Sequence, residues 1–130
     1  MTDPIGDFII RIKNAGMVGK ETISLPSSKM KLAIAELLSK KGFVGEVSNK
    51  AKDGKSVMTV GLLYREDGTP KVRDVQRISK PGRRIYEKAK DIKRFKRGFG
   101  ISVFSTPKGI LADSDAKEQN LGGEILFKLW

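Results

Sequence analysis

The spacing of the apolar residues changes at Gly42, and this change constrains the fold more than any other feature of the sequence. Before Gly42, apolar residues recur every three or four positions, as at Ile5, Phe8 and Ile12, which predicts helices with one buried face. After Gly42, short runs rich in β-branched and aromatic residues stand between turn residues, which predicts strands. The pattern therefore predicts an α+β fold in which two helices precede most of the strands.

The first helix is predicted to begin near the amino terminus. Asp3 is a favourable N-cap, and Pro4 suits the first helical position because its missing amide hydrogen would have no partner there. Gly16 and Gly19 are expected to end this helix. Residues 21–25 are then interpreted as a short strand.

A second helix is predicted to follow Ser27 or Ser28, either of which can act as its N-cap, and to end at Gly42. The residues expected on its buried face are apolar and spaced by three or four: Met30, Ala33, Ile34, Leu37 and Leu38. Lys29 and Lys31 are expected on its polar face. They are interpreted either as a solvated face, which is the commoner role of lysine, or as contacts to phosphate groups.

Two further segments, 43–48 and 56–64, predict a β-hairpin around a polar loop at 49–55. Residues 71–78 are predicted to add a third strand to this hairpin. Together with the two helices, these strands would form an N-terminal α+β lobe of residues 1–79, in which the helices pack on a small antiparallel sheet.

Pro81 followed by Gly82 is the best candidate for a domain boundary, and a C-terminal RNA-binding lobe of residues 80–130 is predicted to follow. This lobe is expected to be rich in β-structure, with one short helix that Asp113 or Ser114 could cap. Its predicted elements are, in order, strands at 101–104 and 110–112, the helix to near Asn120, and a strand at 124–130.

The charge of the chain is strongly one-sided, with 26 Lys and Arg residues against 15 Asp and Glu residues and a formal net charge of +11. A protein with such a charge attracts polyanions, of which nucleic acid is the foremost. Most of the net charge lies within residues 71–98, which hold twelve Lys or Arg residues against three acidic ones. This concentration predicts a surface that contacts nucleic-acid phosphates, through Arg83 and Arg84 among others.

Cysteine and histidine are absent. Their absence excludes zinc fingers, thiol nucleophiles, disulfides and imidazole acid–base chemistry, so no enzyme activity, metal, cofactor or small-molecule substrate is expected. The sequence contains no apolar run of the ~20 residues that span a bilayer, and its start does not resemble a signal peptide. We therefore expect a cytoplasmic protein without a membrane partner.

Aromatic and hydroxyl side chains accompany the basic residues. Tyr86 and Phe95 lie within the basic segment, and either ring could stack on an unpaired base or pack in the core, with packing favoured for Phe95. Residues 105–110 join two predicted strands and contain Ser105 and Thr106. Their hydroxyl groups suit the base edges and 2′-hydroxyl groups of a shallow RNA minor groove. An ordinary turn is the alternative interpretation of this segment.

With the segments that follow it, this turn resembles the C-terminal signature of the bacterial small-subunit ribosomal protein eight family. The matching segments are, in order, 3–5, 11–15, 26–29, 41–43, 77–86, 105–110, 122–126 and the terminal Trp130. Each segment is a weak signal, but their order and spacing over nearly the whole chain are specific to that family.

The resemblance implies a two-lobed protein that binds a helix in the central domain of small-subunit ribosomal RNA, beside neighbouring ribosomal proteins, and helps to assemble that domain. Many bacterial members of the family also repress translation of their own operon by binding a site in its messenger RNA. The RNA contacts that the resemblance implies are Ser105, Thr106, Lys108, Gly122, Gly123 and Glu124, with support from Tyr86 and N-terminal basic residues.

Two positions depart from the commonest pattern of that family. Pro107 stands where many members have serine, which removes a hydroxyl and a backbone donor, and Phe127 stands where many have cysteine, which is interpreted as a packing change. Two other functions stay open at this point. A free-standing regulator of messenger RNA would use the same surface, whereas a DNA-binding architectural protein would show no preference for an RNA hairpin.

Overall fold

The computed structural model describes residues 2–130, except for the side chain of Lys52. The chain forms two compact units: Asp7–Arg73, here called the N-terminal unit, and residues 2–6 with Asp74–Trp130, here called the C-terminal unit. This division into compact units does not show which parts of the chain fold independently. The lobes 1–79 and 80–130 therefore stay a prediction. The predicted α+β class is confirmed, with three α-helices and two antiparallel sheets in the described part of the chain.

A three-stranded antiparallel sheet forms the N-terminal unit together with most of α1 and the whole of α2. The elements are, in order, α1 (Pro4–Met17), β1 (Thr22–Pro26), α2 (Lys29–Lys40), β2 (Val44–Lys52) and β3 (Lys55–Leu62). The strands lie in the order β1-β3-β2. Phe8, Ile9 and Ile12 of α1 are buried, as their spacing predicts.

The ends of the two helices follow local rules of sequence. The Gly6 amide donates to Oδ1 of Asp3 at 3.2 Å, which confirms Asp3 as the cap of α1. Ser28 caps α2, because its Oγ accepts the Lys31 amide at 3.1 Å, and Gly42 follows with a φ of +84°. The predicted buried stripe of α2 is wrong at Met30, which is 41% exposed in the first turn of the helix.

Two predictions about the strands are wrong. The loop predicted at 49–55 is mostly strand, because the hairpin turns tightly at Asp53 and Gly54, which both have positive φ. The third strand of the N-terminal sheet is β1, which pairs with β3. Within the segment predicted at 71–78, only Val75–Arg77 forms a strand, β4, and it pairs with the last strand of the chain.

The C-terminal unit is built around that last strand. After β4 come β5 (Tyr86–Glu87), β6 (Ile101–Thr106), β7 (Gly109–Ala112), α3 (Asp113–Glu118) and β8 (Gly123–Leu129). The sheet has the order β4-β8-β6-β7, and β5 also pairs with β8. A short 3-10 helix occupies Ala89–Asp91, and a turn with left-handed backbone at Lys96 and Arg97 occupies Phe95–Gly98. One face of this sheet contributes to a core of Ile92, Phe104, Ala116 and Ile125.

Neither predicted cap of the short helix occupies the capping position, which is Ala112. Asp113 is instead the first helical residue, and its side chain is buried. Its Oδ2 accepts the Phe95 amide at 2.7 Å, and its Oδ1 accepts the Ser114 amide at 2.9 Å. The carboxylate therefore joins α3 to the irregular segment before β6, a contact distant in sequence that a capping rule does not predict.

Candidate nucleic-acid interface

Side chains predicted to bind RNA form a row across the sheet of the C-terminal unit. Glu124 of β8 lies opposite Tyr86 of β5 on one side and opposite Ser105 of β6 on the other. Ser105 in turn lies opposite Ile110 of β7. Directly opposed residues of antiparallel strands project from the same face. The register therefore places an aromatic ring, a carboxylate and a hydroxyl side by side.

This row faces away from the core of Phe104 and Ile125. Because side chains alternate along a strand, Ser105 and Glu124 project opposite to those two residues, which immediately precede and follow them. Tyr86 is 69% exposed, so its ring is available to a partner rather than packed in the core. Of the two interpretations of Tyr86, packing in the core and exposure to a partner, the structure therefore supports exposure.

An ion pair fixes the carboxylate in the row. Nη1 of Arg84 lies 3.2 Å from Oε2 of Glu124, and the Glu124 side chain is only 16% exposed. A half-buried carboxylate needs such a partner, and the pair holds Glu124 in one orientation. Arg84 therefore holds the Glu124 side chain in position and also adds a positive charge to the row.

The two hydroxyl groups at the end of β6 have different surroundings. Thr106 Oγ1 donates to the Gly109 carbonyl at 2.8 Å and accepts the Lys108 amide at 3.2 Å, so it builds the turn between β6 and β7. Gly109 completes this turn with a φ of +109°. Within residues 2–130, the Ser105 hydroxyl has no hydrogen-bond partner. The structure therefore supports the ordinary-turn interpretation for Thr106 and leaves the Ser105 hydroxyl free to bind a ligand.

Gly122 and Gly123 are required by the close approach of neighbouring backbone. A Cβ atom on Gly123 would lie 2.2 Å from the Ser105 carbonyl oxygen. A Cβ atom on Gly122 would lie 2.6 Å from the Glu87 carbonyl oxygen. The absence of side chains lets β8 begin between β5 and β6, so these glycines position the row whether or not they touch RNA.

Arg83 lies in a turn near the row, and hydrogen bonds close this turn. The backbone amides of Lys80 and Arg83 each donate to the other's carbonyl at 2.9 Å, which forms a tight turn at Pro81 and Gly82. The buried Ser79 hydroxyl accepts the Ile85 amide at 2.9 Å and donates to the Ile85 carbonyl at 3.2 Å. The chain is thus closed at the base of the turn, and the Arg83 side chain is exposed.

Not every cation of the basic segment faces solvent. Arg77 is 10% exposed, and its Nε lies 3.1 Å from Oδ2 of Asp3 while its Nη1 donates to the Leu126 carbonyl at 2.6 Å. Burial by itself raises the pKa of the Asp3 carboxyl, but the hydrogen bonds from Arg77 and the Gly6 amide hold that pKa below its ordinary value. Arg77 is therefore a structural cation, which a count of charges along the sequence does not reveal.

The predicted residues lie in both units. Lys29 and Lys31 belong to the N-terminal unit, and the other nine belong to the C-terminal unit. The Lys31 ammonium donates to the Pro26 carbonyl at 2.5 Å, which uses one of its three donors in fastening the start of α2. The Lys29 side chain is exposed, as is that of Lys108 in the turn after β6.

One exposed aromatic residue, Phe99, was not predicted as a candidate site residue. Phe99 is 85% exposed, the largest exposed fraction among the big hydrophobic residues of the described chain. It follows Lys96, Arg97 and Gly98, which all have positive φ. The run of cations beside it is visible in the sequence, but the outward direction of the ring depends on this unusual backbone.

The family is decided by comparison with known proteins. The model of the family described as Ribosomal protein S8 matches residues 3–130. The chain belongs to the ribosomal protein S8 family. Its S8 relatives include the "Small ribosomal subunit protein uS8" of Rhodopseudomonas palustris (strain BisB5), 45% identical, and that of Nitrobacter hamburgensis, 46% identical. Each alignment covers 98% of this chain and 97% of the relative.

Membership in the S8 family confirms the resemblance found in the sequence. The proteins of this family are ribosomal and structural rather than enzymatic, in accordance with the one-sided charge of the chain. Within residues 2–130, no helix combines the length and apolar character that crossing a membrane requires.

Proposed function

We propose that this protein is a structural constituent of the small ribosomal subunit that binds a helix in the central domain of its ribosomal RNA. The observation that carries the proposal is the row formed by the exposed Tyr86 and the partly buried Glu124 and Ser105 at one end of the sheet, with the exposed Arg83 and Lys108 on the neighbouring turns. Relatives named for the small ribosomal subunit support the ribosomal part of the proposal.

The chemistry of the row suits the shallow minor groove of an RNA helix. That groove displays 2′-hydroxyl groups and base edges, and the free Ser105 hydroxyl can both donate to and accept from them. The Glu124 carboxylate accepts hydrogen bonds only, so it suits a 2′-hydroxyl or an exocyclic amino group. The Tyr86 ring can pack against a sugar or an unstacked base.

The flanking cations supply affinity without sequence preference. Arg83 and Lys108 are exposed on the two turns beside the row, where phosphate groups of a docked helix would lie. Lys29 and Lys31 of the N-terminal unit are proposed as further phosphate contacts. Binding of this kind orders a helix early and lets neighbouring ribosomal proteins join it, which is the assembly role that we propose in the cytoplasmic ribosome.

A messenger RNA with the same local shape would bind the same row. Recognition through 2′-hydroxyl groups and backbone shape depends on the geometry of the helix more than on the molecule that contains it. Control of the protein's own operon is therefore a further proposal that requires no second site. Duplex DNA lacks the 2′-hydroxyl group, so an architectural role on DNA is disfavoured by the same chemistry.

Chemical footprinting tests the proposal directly. Purified small-subunit ribosomal RNA is probed with and without the protein, and we expect protection of one helix in the central domain. The Ser105→Ala protein should need a higher concentration for the same protection. Duplex DNA of equal length serves as a competitor. Protection scattered over the whole RNA, or competition by DNA as effective as by the RNA helix, would contradict the proposal.

A further inference from the structure

We infer that the turn from Lys93 to Phe99, here called the basic turn, binds an unpaired RNA nucleotide by stacking its base on Phe99. This goes beyond the proposed function, and rests on it only in taking RNA as the partner. The basic turn precedes β6, which begins at Ile101. Ser105 lies four residues further along that strand, about 13 Å from its start at 3.3 Å per residue. The inferred contact is therefore separate from the row.

The backbone of the basic turn is unusual. Lys96 and Arg97 have φ of +49° and +53°, and Gly98 has a φ of +93°. Residues with a Cβ atom adopt this left-handed conformation rarely and at a cost, and such residues cluster at sites that bind something. Here the conformation turns the chain so that the Phe99 ring is 85% exposed.

Contacts at both ends hold this conformation in place. The Phe99 amide donates to the Lys96 carbonyl at 3.0 Å across the turn. Phe95 packs edge-on against Trp130 at 5.4 Å between ring centroids, and the Lys96 ammonium lies 4.9 Å from the centroid of the Trp130 ring. Gly100 has no room for a Cβ atom beside Trp130. The exposed ring is therefore presented by an anchored segment, which lowers the entropic cost of binding.

The charges around the ring favour a nucleic acid as its occupant. Four of the seven residues from Lys93 to Phe99 are Lys or Arg, none is acidic, and all four are exposed. Within residues 2–130, the Arg97 guanidinium has no hydrogen-bond or ion-pair partner. An exposed ring next to exposed cations, of which Arg97 is unpaired, matches the alternation of bases and phosphates in an unpaired strand.

An acidic protein segment fits the basic turn less well. Protein interfaces have a contiguous apolar centre, usually built from several side chains. The immediate chain neighbours of Phe99 are Gly98 and Gly100, and Lys96 and Arg97 come before them. Phe99 is the one exposed apolar side chain of the basic turn, since Phe95 is partly buried against Trp130, and a single exposed ring is enough for one base but small for a protein contact.

Trp130 provides a local reporter of binding, because it is the only tryptophan and contacts the base of the turn. The probe is a labelled oligoadenylate of about ten nucleotides, since sites for single strands span roughly 4–16 nucleotides. Anisotropy of the label gives the affinity, and Trp130 fluorescence shows whether the strand lies at the basic turn.

Matched substitutions separate stacking from charge. Phe99→Leu keeps an apolar side chain but removes the ring, and we expect it to weaken oligoadenylate binding roughly tenfold and to reduce the quenching of Trp130. Phe99→Tyr, which keeps a ring, should bind within about twofold of the parent. Val18→Ala removes an exposed apolar side chain of the N-terminal unit, outside both proposed RNA contacts, and should leave oligoadenylate affinity and Trp130 quenching unaltered. Since Phe99 is exposed, melting temperatures should not differ.

Two outcomes would overturn the inference. One is a Phe99→Leu protein that binds oligoadenylate as the parent does. The other is a polyglutamate peptide that loses as much affinity as oligoadenylate on this substitution, which would make the occupant an acidic polypeptide. The proposed function fails separately, through footprinting of ribosomal RNA and the Ser105→Ala variant, neither of which depends on Phe99.

Discussion

Ser105 and Thr106 are adjacent residues of the same chemical class, yet the structure gives their hydroxyl groups different tasks. Thr106 Oγ1 is occupied by Gly109 and Lys108 of the following turn. The Ser105 hydroxyl lies in the row beside Glu124. Both stay predicted RNA contacts, and the sequence alone could not show which of the two hydroxyl groups also builds the turn. Only the alternation of the strand separates them.

Single alanine substitutions should separate the role of Ser105 in RNA binding from the role of Thr106 in stability. Ser105→Ala should leave the melting temperature unchanged and weaken binding to the RNA helix by roughly threefold to tenfold, the effect of one hydrogen bond of about 0.5–1.5 kcal/mol. Thr106→Ala should lower the stability by a similar free energy, and Thr106→Ser should restore it. Thermal denaturation and RNA titration on each variant provide the measurements. If Ser105→Ala melted early and bound RNA normally, the row would have no recognition role at this position.

Gly123 allows a prediction about packing. Its missing Cβ atom would lie 2.2 Å from the Ser105 carbonyl oxygen, so Gly123→Ala must displace backbone, and we expect a loss of about 1–3 kcal/mol or more. Gly45 of β2 is a suitable control, since a Cβ atom there would meet nothing closer than 3.4 Å. Gly45→Ala should be neutral or slightly stabilising. Urea denaturation of both variants tests this, and equal losses would count against close approach as the reason for Gly123.

At the scale of helices and strands, the sequence predicted a feature correctly where the residues that determine it lie close together in the chain. Asp3, Ser28 and Gly42 mark helix ends because each acts on backbone within a few residues. The pairing of β4 with β8 joins residues about fifty positions apart, and nothing near Val75 in sequence encodes that choice. The hairpin was predicted too short because polar residues on an exposed strand pair resemble a loop.

The contact between Asp3 and Arg77 gives the start of α1 a dependence on pH. Asp3→Asn keeps a good capping residue but removes the charge that faces Arg77. Because the folded pKa of Asp3 lies below its ordinary value of 3.8, this carboxylate stabilises the fold above that pH, and the stabilisation is lost as pH falls through the lowered pKa.

We expect Asp3→Asn to cost about 1–3 kcal/mol at neutral pH, as for hydrogen bonds to charged groups. The difference from the parent should shrink in strongly acidic solution, where both side chains are neutral. Urea denaturation of parent and variant over a series of pH values measures it. A difference that stayed constant into acid would show that the ion pair does not supply the stabilisation.

At the scale of the whole molecule, the net charge of +11 predicted the class of partner but not the surface that meets it. Arg77 belongs to the basic segment yet is buried against Asp3. Arg84 is paired with Glu124, and the free cations lie on turns around the sheet. The charge of the segment therefore indicates a region, and the pairing of β5, β6 and β8 places the row that we propose as the RNA contact within it. Phe99 was missed because its exposure depends on backbone angles that no residue pattern signals.

The salt dependence of RNA binding reports how many cations meet phosphate. With roughly 4–8 phosphates neutralised, a plot of log K against log salt should have a slope of roughly −4 to −7. Arg83→Ala should make this slope shallower by about one and weaken binding to cognate and unrelated RNA alike, because a phosphate contact carries little sequence information. Lys40→Ala is the matched control. It removes one exposed charge from the last turn of α2, about 16 Å along the helix from Lys29 at 1.5 Å per residue, so it should leave the slope unaltered. Equal changes in the two variants would mean that the RNA responds to the net charge of the protein rather than to the cations beside the row.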